Sequence, residues 1–389
     1  MSVYVREVAR EMGRRGHLVD VYTRIHEPIH DKVIKIGQNA RLIHLRAGEE
    51  EIQKLAIYYH LADFARDLDN FRKQNGLRYD LIHSHYWLSG LAGKRLQQWW
   101  DVPHVMGFHT LGAVKNAIGI GEGEPDLRIN AEKELVRDCH RIIASTMKGK
   151  KDLIDYYDAS PETISVIPCG VNLDLFRPIG RETARCYLGL KEERIILFVG
   201  RIIPLKGIDN LLKAMTYLER KEGIKLVVIG GDEHCQTEVE RLKDLSRSLK
   251  IQESVIFLGL VKQEILPFFY SAANLCVVPS YYESFGLVVL ESLACGTPVV
   301  ATRVGGAESV IRHGETGYVV RNNDSCHLAD KIALFLSTSN GDTEFVGTVR
   351  ASVVNYSWSN ITEAILAEYR SVLGDFSARV RKEIQEFWA

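Results

Sequence analysis

The apolar positions of the chain repeat in turn at helical spacing and at strand spacing, which is the pattern of an α/β protein. Val3, Val5, Val8, Ala9 and Met12 predict an amphipathic first helix, which Gly13 to Gly16 end before a strand at residues 18–22. Further strands are predicted at residues 41–45, 81–84, 104–108, 141–144 and 164–167, with helices at 52–73, 88–100, 130–137 and 148–157. This alternation predicts a mostly parallel, doubly wound sheet.

A segment rich in turn residues, Pro168–Pro178, interrupts the alternation before a second one begins. It contains strands at residues 194–199, 225–229, 255–258 and 275–278, with helices at 208–218, 238–249 and 262–271. After residues 317–320 the chain is helical to its end, and its tail carries Val380, Ile384 and Phe387 on one face. We therefore predict a first domain of residues 1–172, which a C-terminal helix of about residues 374–389 joins, and a second domain of residues 173–373.

Composition excludes several classes of protein. Lys and Arg together number 49 against 50 Asp and Glu, so no net charge attracts the chain to nucleic acid or to an anionic membrane. The seven cysteines are scattered and form no CxxC pair, which favours a reducing compartment and argues against a structural zinc site. No apolar run reaches membrane-spanning length and no signal peptide is visible, so we expect a cytoplasmic protein with no integral membrane segment. Weak peripheral membrane contact stays open, and the sequence does not indicate an oligomeric state.

The segment Val278–Val304 has the pattern of a strand, a helix and a second strand, with two glutamates between the strands. On one continuous helix Glu283 and Glu291 would lie about 12 Å apart along the axis and roughly 80° apart around it. If the helix instead begins near Phe285 and Gly286, its first amide groups form an anion site with one carboxylate before it and one a turn inside. The carboxylates would then accept hydrogen bonds from neutral hydroxyls, as of a sugar or ribose. The alternative is that both are solvated acids.

Basic residues follow the first strand of the second half. Gly200 allows a close turn there, and Arg201 and Lys206 offer a planar fork and a compact charge that suit a diphosphate. Because ligands of open α/β sheets bind at the carboxyl ends of the strands, this pair is expected near the helix start at Gly286. Alone, the two residues could equally be solvated surface cations.

Histidines follow two strands of the first half, at His83, His85 and His109. A metal site is disfavoured because neither motif contains a carboxylate. We expect His83 to make ordinary hydrogen bonds, and His85 and His109 to hold sugar hydroxyls. Trp87 is predicted to lie in the core.

Taken in order, these motifs resemble a family 4 glycosyltransferase with the GT-B fold. The resemblance covers essentially the whole chain and is carried by Arg201 with Lys206, Glu283 to Glu291 with its Ser-Phe-Gly, the Gly296–Val300 run, and Val304–Glu308. It implies two Rossmann-like domains that face each other across a cleft. It also implies transfer of a hexosyl group from a nucleotide sugar, commonly a UDP-sugar, with retention at the anomeric carbon, by front-face attack and without a metal or other cofactor.

The resemblance also implies roles for residues of the donor site. Arg201 and Lys206 would bind the diphosphate, Glu291 the ribose and Glu283 the donor sugar, with His109 near the reacting carbon. The catalytic set is then His109, Arg201, Lys206 and Glu283. The donor-binding residues implied are Gly200, Arg201, Lys206, Gly259, Val261, Glu283, Ser284, Phe285, Gly286, Leu287, Val288 and Glu291. Among these, Gly259 to Val261 would contact a uracil-type base.

The first half is most similar to sucrose-phosphate synthases and inositol-phosphate glycosyltransferases, through His83–Gly90 and Phe108–Leu111. Those families hold a phosphorylated acceptor with a lysine, a tyrosine, a threonine and an arginine. The acceptor-binding residues implied are Lys54, His85, Tyr86, Thr110 and Arg128. We therefore expect a small sugar-phosphate or inositol-phosphate acceptor.

One feature departs from the family. Relatives begin with a strand and a Gly-Gly loop immediately before a segment like Ser2–Val5, where this sequence has Met1. An unpaired sheet edge is expected in the first domain, together with the loss of backbone donors. This supports a second hypothesis, a homologue that binds nucleotide sugars but is inactive or truncated. Another alternative is a transferase with a lipid or polysaccharide acceptor.

Overall fold

The computed structural model describes residues 1–26, 31–191, 194–218, 223–231, 235–321, 323–337 and 343–388. Contacts divide the chain into two compact units. Unit 1 comprises Met1–Ala117, Gly123–Pro168 and Trp358–Ala389, and unit 2 comprises Ile118–Glu122 and Cys169–Ser357. Each unit has its own parallel strands and its own buried core, so the predicted class of two parallel-sheet α/β domains is confirmed.

Unit 1 begins with the predicted amphipathic helix and then alternates strands with helices. In chain order its elements are α1 (Ser2–Arg14), β1 (Val19–Arg24), β2 (Val33–Gly37), β3 (Ala40–Leu45), α2 (Leu61–Gln74), β4 (Ile82–His85), α3 (Trp87–Trp100), β5 (His104–Gly107), α4 (Gly112–Ile118), α5 (Asp126–Asp138), β6 (Arg141–Ala144), α6 (Met147–Tyr157) and β7 (Ile164–Val166). Helix α5 begins four residues earlier than predicted, because Pro125 fixes the backbone before its first turn and Asp126 favours a helix start. Arg128 therefore lies in the first turn of a helix.

The strands of unit 1 form two sheets, not the single sheet that was predicted. One has the order β1-β3-β2 and the other β4-β5-β6-β7. Strand β2 was missed by the sequence analysis; it pairs antiparallel to β3, and its first three residues are exposed, so it lacks a buried apolar run. Strands β1 and β4 each pair with one strand among the described residues. Both are largely half-buried, whereas strands inside a doubly wound sheet are normally buried on both faces.

Unit 2 contains one six-stranded sheet in the order β10-β9-β8-β11-β12-β13, and all its strand pairs are parallel. Its elements are α7 (Arg181–Leu188), β8 (Arg194–Val199), α8 (Ile208–Thr216), β9 (Ile224–Ile229), α9 (Gln236–Ser248), β10 (Val255–Gly259), α10 (Leu266–Ala272), β11 (Leu275–Val278), α11 (Leu287–Ala294), β12 (Val299–Thr302), α12 (Ala307–Val310), β13 (Gly317–Val320), α13 (Ser325–Leu336) and α14 (Thr343–Ala351). The strand order reverses between β8 and β11, so the carboxyl ends of these two strands are where a doubly wound sheet binds its ligand.

The last helix, α15 (Trp358–Trp388), belongs to unit 1 over its whole length, whereas the sequence placed the return at about residue 374. The chain returns to unit 1 earlier than predicted because Trp358 packs edge-on against Tyr4 of α1, with ring centroids 5.5 Å apart. In addition, Arg15 donates to the Ser359 carbonyl. The other boundary falls at Pro168, before the predicted residue 172. The side chains of Ile384 and Phe387 lie outside the described residues. Within the described part of the chain, helices long and apolar enough to cross a membrane are absent.

Candidate active site

One group of candidate site residues lies in unit 2, at the carboxyl end of β8. Gly200 follows the strand directly, and Arg201 is exposed and pairs with no carboxylate among the residues that the structure describes. Lys206 ends a short 3-10 turn, and its ammonium donates to the Glu283 carboxylate. Gly207 follows with φ +65°, and a Cβ there would approach the Pro279 carbonyl oxygen to 2.1 Å. The loop therefore holds the Lys206 side chain beside the end of β11.

Three glycines line the ends of β8, β9 and β10. The Gly200 amide donates to the Ile229 carbonyl at 3.0 Å, and the Gly230 amide donates to the Gly259 carbonyl at 2.9 Å. Gly230 adopts φ +134°, and a Cβ on it would lie 1.8 Å from the Gly200 oxygen. Only glycine permits this approach. The sequence analysis missed Gly230, although a Gly-Gly pair directly after a buried strand could have indicated it. Val261, two residues beyond Gly259, is half-buried.

Helix α11 begins at Leu287, after Gly286 with φ +96° and ψ +68°. Glu283 therefore lies in the loop and Glu291 one turn inside the helix, which is the second of the two arrangements considered from the sequence. Glu283 accepts a hydrogen bond from Ser280 at 2.9 Å as well as the contact from Lys206. The lysine charge thus balances this carboxylate within unit 2.

A second glycine pair holds in place the loop residues Ser284, Phe285 and Gly286, which lead into Leu287 and Val288 at the start of α11. The Gly306 amide donates to the Phe285 carbonyl at 2.7 Å, and a Cβ on Gly305 would approach the same oxygen to 2.6 Å. The Phe285 ring is buried, whereas Ser284, Leu287 and Val288 are half-buried. The amides at the start of α11 are therefore carried by a loop anchored through the buried Phe285.

Glu291 is a buried carboxylate with a neutral partner. The Tyr270 hydroxyl donates to Glu291 Oε2 at 2.9 Å, and Tyr270 is fully buried. Burial raises the pKa of Glu291 from 4.5 to about 7, although the Tyr270 hydrogen bond acts against this. The carboxylate of Glu291 is therefore readily able to gain a proton near neutral pH. The sequence analysis did not single out Tyr270.

Glu291→Gln is expected to change the pH dependence of stability. The folded protein holds a proton on Glu291 between pH 4.5 and about 7 that the unfolded chain has lost, so the native carboxyl contributes stability below this window and loses it as the pH rises through it. The variant, which cannot ionise, should gain on the order of 2–3 kcal/mol relative to the native protein between about pH 5 and pH 8. Denaturant unfolding at pH 5 and pH 8 measures the difference in the free energy of unfolding between the variant and the native protein. An equal difference at both would contradict the raised pKa of Glu291.

Unit 1 holds a separate group of candidate site residues, and those that follow β4 and β5 have unusual backbones. Tyr86 adopts φ +77° and ψ +153°, and His109 adopts φ +58°. Such conformations are costly for residues with a side chain and concentrate at functional sites. Tyr86 is fixed by its amide, which donates to the Gly107 carbonyl at 2.8 Å. The fold therefore holds two predicted site residues in strained positions at neighbouring strand ends.

The histidines pack together in unit 1. His85 Nδ1 lies 3.0 Å from His109 Nε2, and the Tyr4 ring packs edge-on against both imidazoles. His83 pairs with the Tyr369 hydroxyl, as expected of an ordinary hydrogen bond. Burial lowers the pKa of all three histidines, that of His85 to about 3, so the rings are neutral and can both donate and accept. Among the described residues no group of His, Cys, Asp or Glu is arranged to hold a metal.

Tyr86 is the centre of the predicted acceptor set. Lys54 Nζ lies 4.6 Å and Arg128 Cζ 4.9 Å from the centroid of its ring. Arg128 Nη2 donates to the Thr110 carbonyl at 2.9 Å and to Thr110 Oγ1 at 3.0 Å. The buried Tyr86 hydroxyl has no hydrogen-bond partner within the described ranges. Four residues that the sequence places far apart are therefore neighbours, and His85 directly precedes one of them.

Arg128 is buried in a network of carboxylates. Its Nε donates to Glu132 Oε1 at 2.8 Å, and both side chains are almost fully buried, at 1% and 0% exposure. Glu132 also accepts from the Gly112 amide at 2.9 Å and from the Tyr157 hydroxyl. Glu124 pairs with Arg128 Nη1 at 2.8 Å and also with Lys115. The sequence analysis missed Glu124 and Glu132, which flank Arg128 at four-residue spacing, because it began the helix at residue 130, and it missed Lys115 because that lysine comes from α4.

The two parallel-sheet α/β units, with the cationic strand end of unit 2 and the glutamate pair around α11, define a GT-B glycosyltransferase. Residues 1–175 match the Glycosyltransferase Family 4 model, and residues 181–348 match the model for Glycosyl transferases group 1. The chain is 37% identical to the D-inositol 3-phosphate glycosyltransferase of Corynebacterium diphtheriae over 96% of its own length and 89% of the relative. It therefore belongs to the family 4 glycosyltransferases.

Solved structures agree with this assignment. The sucrose-phosphate synthase of Thermosynechococcus elongatus superposes with a TM-score of 0.87 at 32% identity, and the match covers 96% of this chain and 93% of that one. Anabaena HepE, solved with UDP and glucose, superposes with a TM-score of 0.76 over 95% of each chain, but at 18% identity it supports the fold alone.

Proposed function

We propose that this glycosyltransferase moves a hexosyl group from a UDP-sugar to a hydroxyl of a small phosphorylated acceptor, with retention and without a metal ion. The observation that carries the acceptor class is the cluster around Tyr86: Lys54 Nζ and Arg128 Cζ lie 4.6 Å and 4.9 Å from the centroid of its ring, and its buried hydroxyl has no hydrogen-bond partner among the described residues. Cations and hydroxyl donors of this kind suit a phosphate. The D-inositol 3-phosphate transferases and the sucrose-phosphate synthase among the relatives support the same class.

The donor diphosphate is proposed to bind Arg201, Lys206 and the amides at the start of α11. Arg201 is exposed at the strand end and so is able to pair with an incoming anion. Lys206 and Glu283 would bind as a pair, with the cation on the phosphate and the carboxylate accepting from sugar hydroxyls. Glu291 would accept from the ribose, and the base would lie along Gly259 to Val261. These roles correspond to those of the family motif.

The proposed reaction is acceptor attack on the anomeric carbon while the nucleotide diphosphate leaves from the same face. The departing phosphate oxygen takes the acceptor proton, and Arg201 and Lys206 stabilise the charge that develops on the phosphate. Neutral His109 would hold a donor-sugar hydroxyl near the reacting carbon, and His85, its neighbour, would contact the acceptor. We place the reaction in the cytoplasm, which the scattered spacing of the seven cysteines, without a CxxC pair, supports.

A ligand panel tests the proposal. Uridine, adenosine and guanosine diphosphate sugars are each added to the full chain, first in thermal unfolding and then in transfer to phosphorylated and unphosphorylated sugars and inositols. We expect a UDP-sugar to raise the Tm, because a ligand that binds only the folded state stabilises it. Transfer is expected to the phosphorylated acceptors. Stabilisation only by an adenosine or guanosine diphosphate sugar would overturn the UDP assignment, and transfer only to the unphosphorylated sugars or inositols would overturn the acceptor class.

The raised pKa of Glu291 gives the ribose role a separate test. Hydroxyl donation favours the ionised carboxylate, so the Kd for the nucleotide sugar should fall about tenfold between pH 6 and pH 8. Glu291→Gln should weaken binding and abolish this dependence. Calorimetry at both pH values distinguishes the outcomes, and a pH-dependent Kd that survives in the variant would remove Glu291 from the ribose site.

The separated sheets of unit 1 favour a second candidate, a protein that binds nucleotide sugars without transferring them. The β1-β3-β2 and β4-β5-β6-β7 sheets do not pair, whereas the sheet of unit 2 is continuous. Donor binding would then persist while transfer fails. Stabilisation by a UDP-sugar, combined with no product from any acceptor of the panel, is the result that selects this candidate.

A further inference from the structure

The Glu124 carboxylate lies between Lys115 and Arg128, the arginine that packs on the ring of Tyr86. Glu124 contacts Lys115 Nζ through Oε1 and Arg128 Nη1 through Oε2, the latter at 2.8 Å. The Glu124 side chain is 13% exposed, whereas Arg128 is 1% exposed. Two cations brought together on one acid are the arrangement that a phosphate would also need.

Among the hydrogen-bond partners of Arg128, Glu124 is the one that an incoming anion can replace. The Nε and Nη2 groups of Arg128 are engaged by Glu132, which is fully buried, and by Thr110. These contacts fix the guanidinium against the ring of Tyr86. The Nη1 group instead points at a partly exposed carboxylate from a loop residue, so an anion that reaches Arg128 from solvent meets Glu124 first.

The backbone and the side chain of Glu124 are held by different groups. Asn116 accepts from the Glu124 amide at 2.7 Å and donates to its carbonyl at 2.9 Å. The carboxylate, in contrast, is held by Lys115 and Arg128, whose hydrogen bonds outweigh burial and lower its pKa. Rotation of the side chain would therefore release both cations without disturbing the loop.

The net charge of the residues around Glu124 favours its replacement by a dianion. The Tyr86 ring and the ion pairs of Arg128 and Glu124 bring together three cations and two carboxylates: Lys54, Lys115, Arg128, Glu124 and Glu132. With Glu124 in place the cluster carries a single positive charge, and with Glu124 turned away it carries two. The second state matches a phosphate monoester, which has close to two negative charges at neutral pH.

We propose that the Glu124 carboxylate occupies the position of the acceptor's phosphate between Lys115 and Arg128, so that it is displaced when the acceptor binds and Lys115 becomes a phosphate ligand. This rests on the proposed function. Glu124 is then a specificity residue: it pairs with the cations when a neutral acceptor is present, and only a strongly charged group replaces it.

The test measures binding of inorganic phosphate to the full chain by calorimetry at about pH 8, together with the acceptor KM. Glu124→Gln should tighten phosphate binding and lower the KM for the phosphorylated acceptor, each about tenfold, because the competing charge is gone. Lys115→Met should weaken phosphate binding and raise that KM. Lys94→Met is the matched control, since Lys94 also bridges two acids of unit 1, Glu134 and Asp138, and both quantities should stay as in the native protein.

The outcomes distinguish a failure of the proposed role of Glu124 from a failure of the proposed transferase function. If Glu124→Gln leaves phosphate binding unchanged or weakens it, or if Lys115→Met binds phosphate like the native protein, Glu124 is a structural ion pair and the inference is wrong. If the variants behave as expected but neither the native protein nor any variant transfers sugar to a phosphorylated acceptor, the anion site stands and the proposed function fails. Circular dichroism of each variant confirms that it is folded.

Discussion

Arg201→Met should lower kcat by about 100- to 1,000-fold while leaving the Tm within about 2 °C of the native value. The guanidinium is exposed and makes no ion pair with a described residue, so its removal leaves no buried charge behind. Its proposed role is to stabilise charge on the departing diphosphate, which is greatest in the transition state. The loss should therefore appear in kcat and not only in the donor KM.

The control for Arg201 is Arg241→Met, which removes an exposed arginine of α9 that pairs with Glu238 at 2.7 Å. Exposed pairs of this kind contribute little, so both activity and Tm should stay near the native values. Steady-state kinetics with saturating acceptor, beside thermal unfolding, measure the difference. A kcat of Arg201→Met within about threefold of the native value would exclude Arg201 from leaving-group stabilisation.

Arg128→Leu is expected to destabilise the protein by about 3–5 kcal/mol, because Glu132 then remains buried without its cation. Adding Glu132→Gln removes the uncompensated charge but keeps an acceptor for the Gly112 amide and the Tyr157 hydroxyl. The double variant should therefore recover most of the lost stability. It should not recover acceptor binding, and its KM for the phosphorylated acceptor should stay raised by roughly 10- to 100-fold, the cost of losing one charge-assisted hydrogen bond.

This pair of variants separates a structural arginine from a binding one. Arg41→Leu serves as the control, since Arg41 pairs with Asp20 at 2.6 Å elsewhere in unit 1, and it should lower stability without changing the acceptor KM. Denaturant unfolding gives the free energies, and initial rates at varied acceptor concentration give the KM. A double variant with native acceptor KM, and a reduced kcat/KM for the donor instead, would remove Arg128 from the acceptor site.

The proposed donor-binding residues of unit 2 were largely predictable from the sequence because they are close along the chain. Glu283, Gly286 and Glu291 fall within one strand-helix unit, and the glycine before the helix fixes where it begins. A parallel sheet then requires Arg201 and Lys206, after a neighbouring strand, to lie at the same edge. The contact between Lys206 and Glu283 follows from that placement.

The candidate site residues of unit 1 were harder to predict from the sequence, because many of their contacts join segments that lie far apart along the chain. Glu124 and Glu132 each lie four residues from Arg128, but this spacing gave no signal while the helix was predicted to begin at residue 130, and Lys115 reaches Glu124 from α4. The strained backbone of Tyr86 is likewise set by the hydrogen bond to Gly107 on the next strand. Periodicity could not divide the strands between two sheets, since it reports burial along one strand and not which strand pairs with which.

The most direct measurement is a transfer assay in which the full chain receives a UDP-sugar and either inositol phosphate or sugar phosphate, with each acceptor also supplied without its phosphate. The account predicts a glycosylated phosphorylated product whose anomeric configuration by NMR equals that of the donor. It predicts kcat/KM at least about 100-fold higher than for the unphosphorylated acceptor, since the cations of the Tyr86 cluster would otherwise lack their anion. Equal use of both acceptors, or a product of inverted configuration, would contradict it.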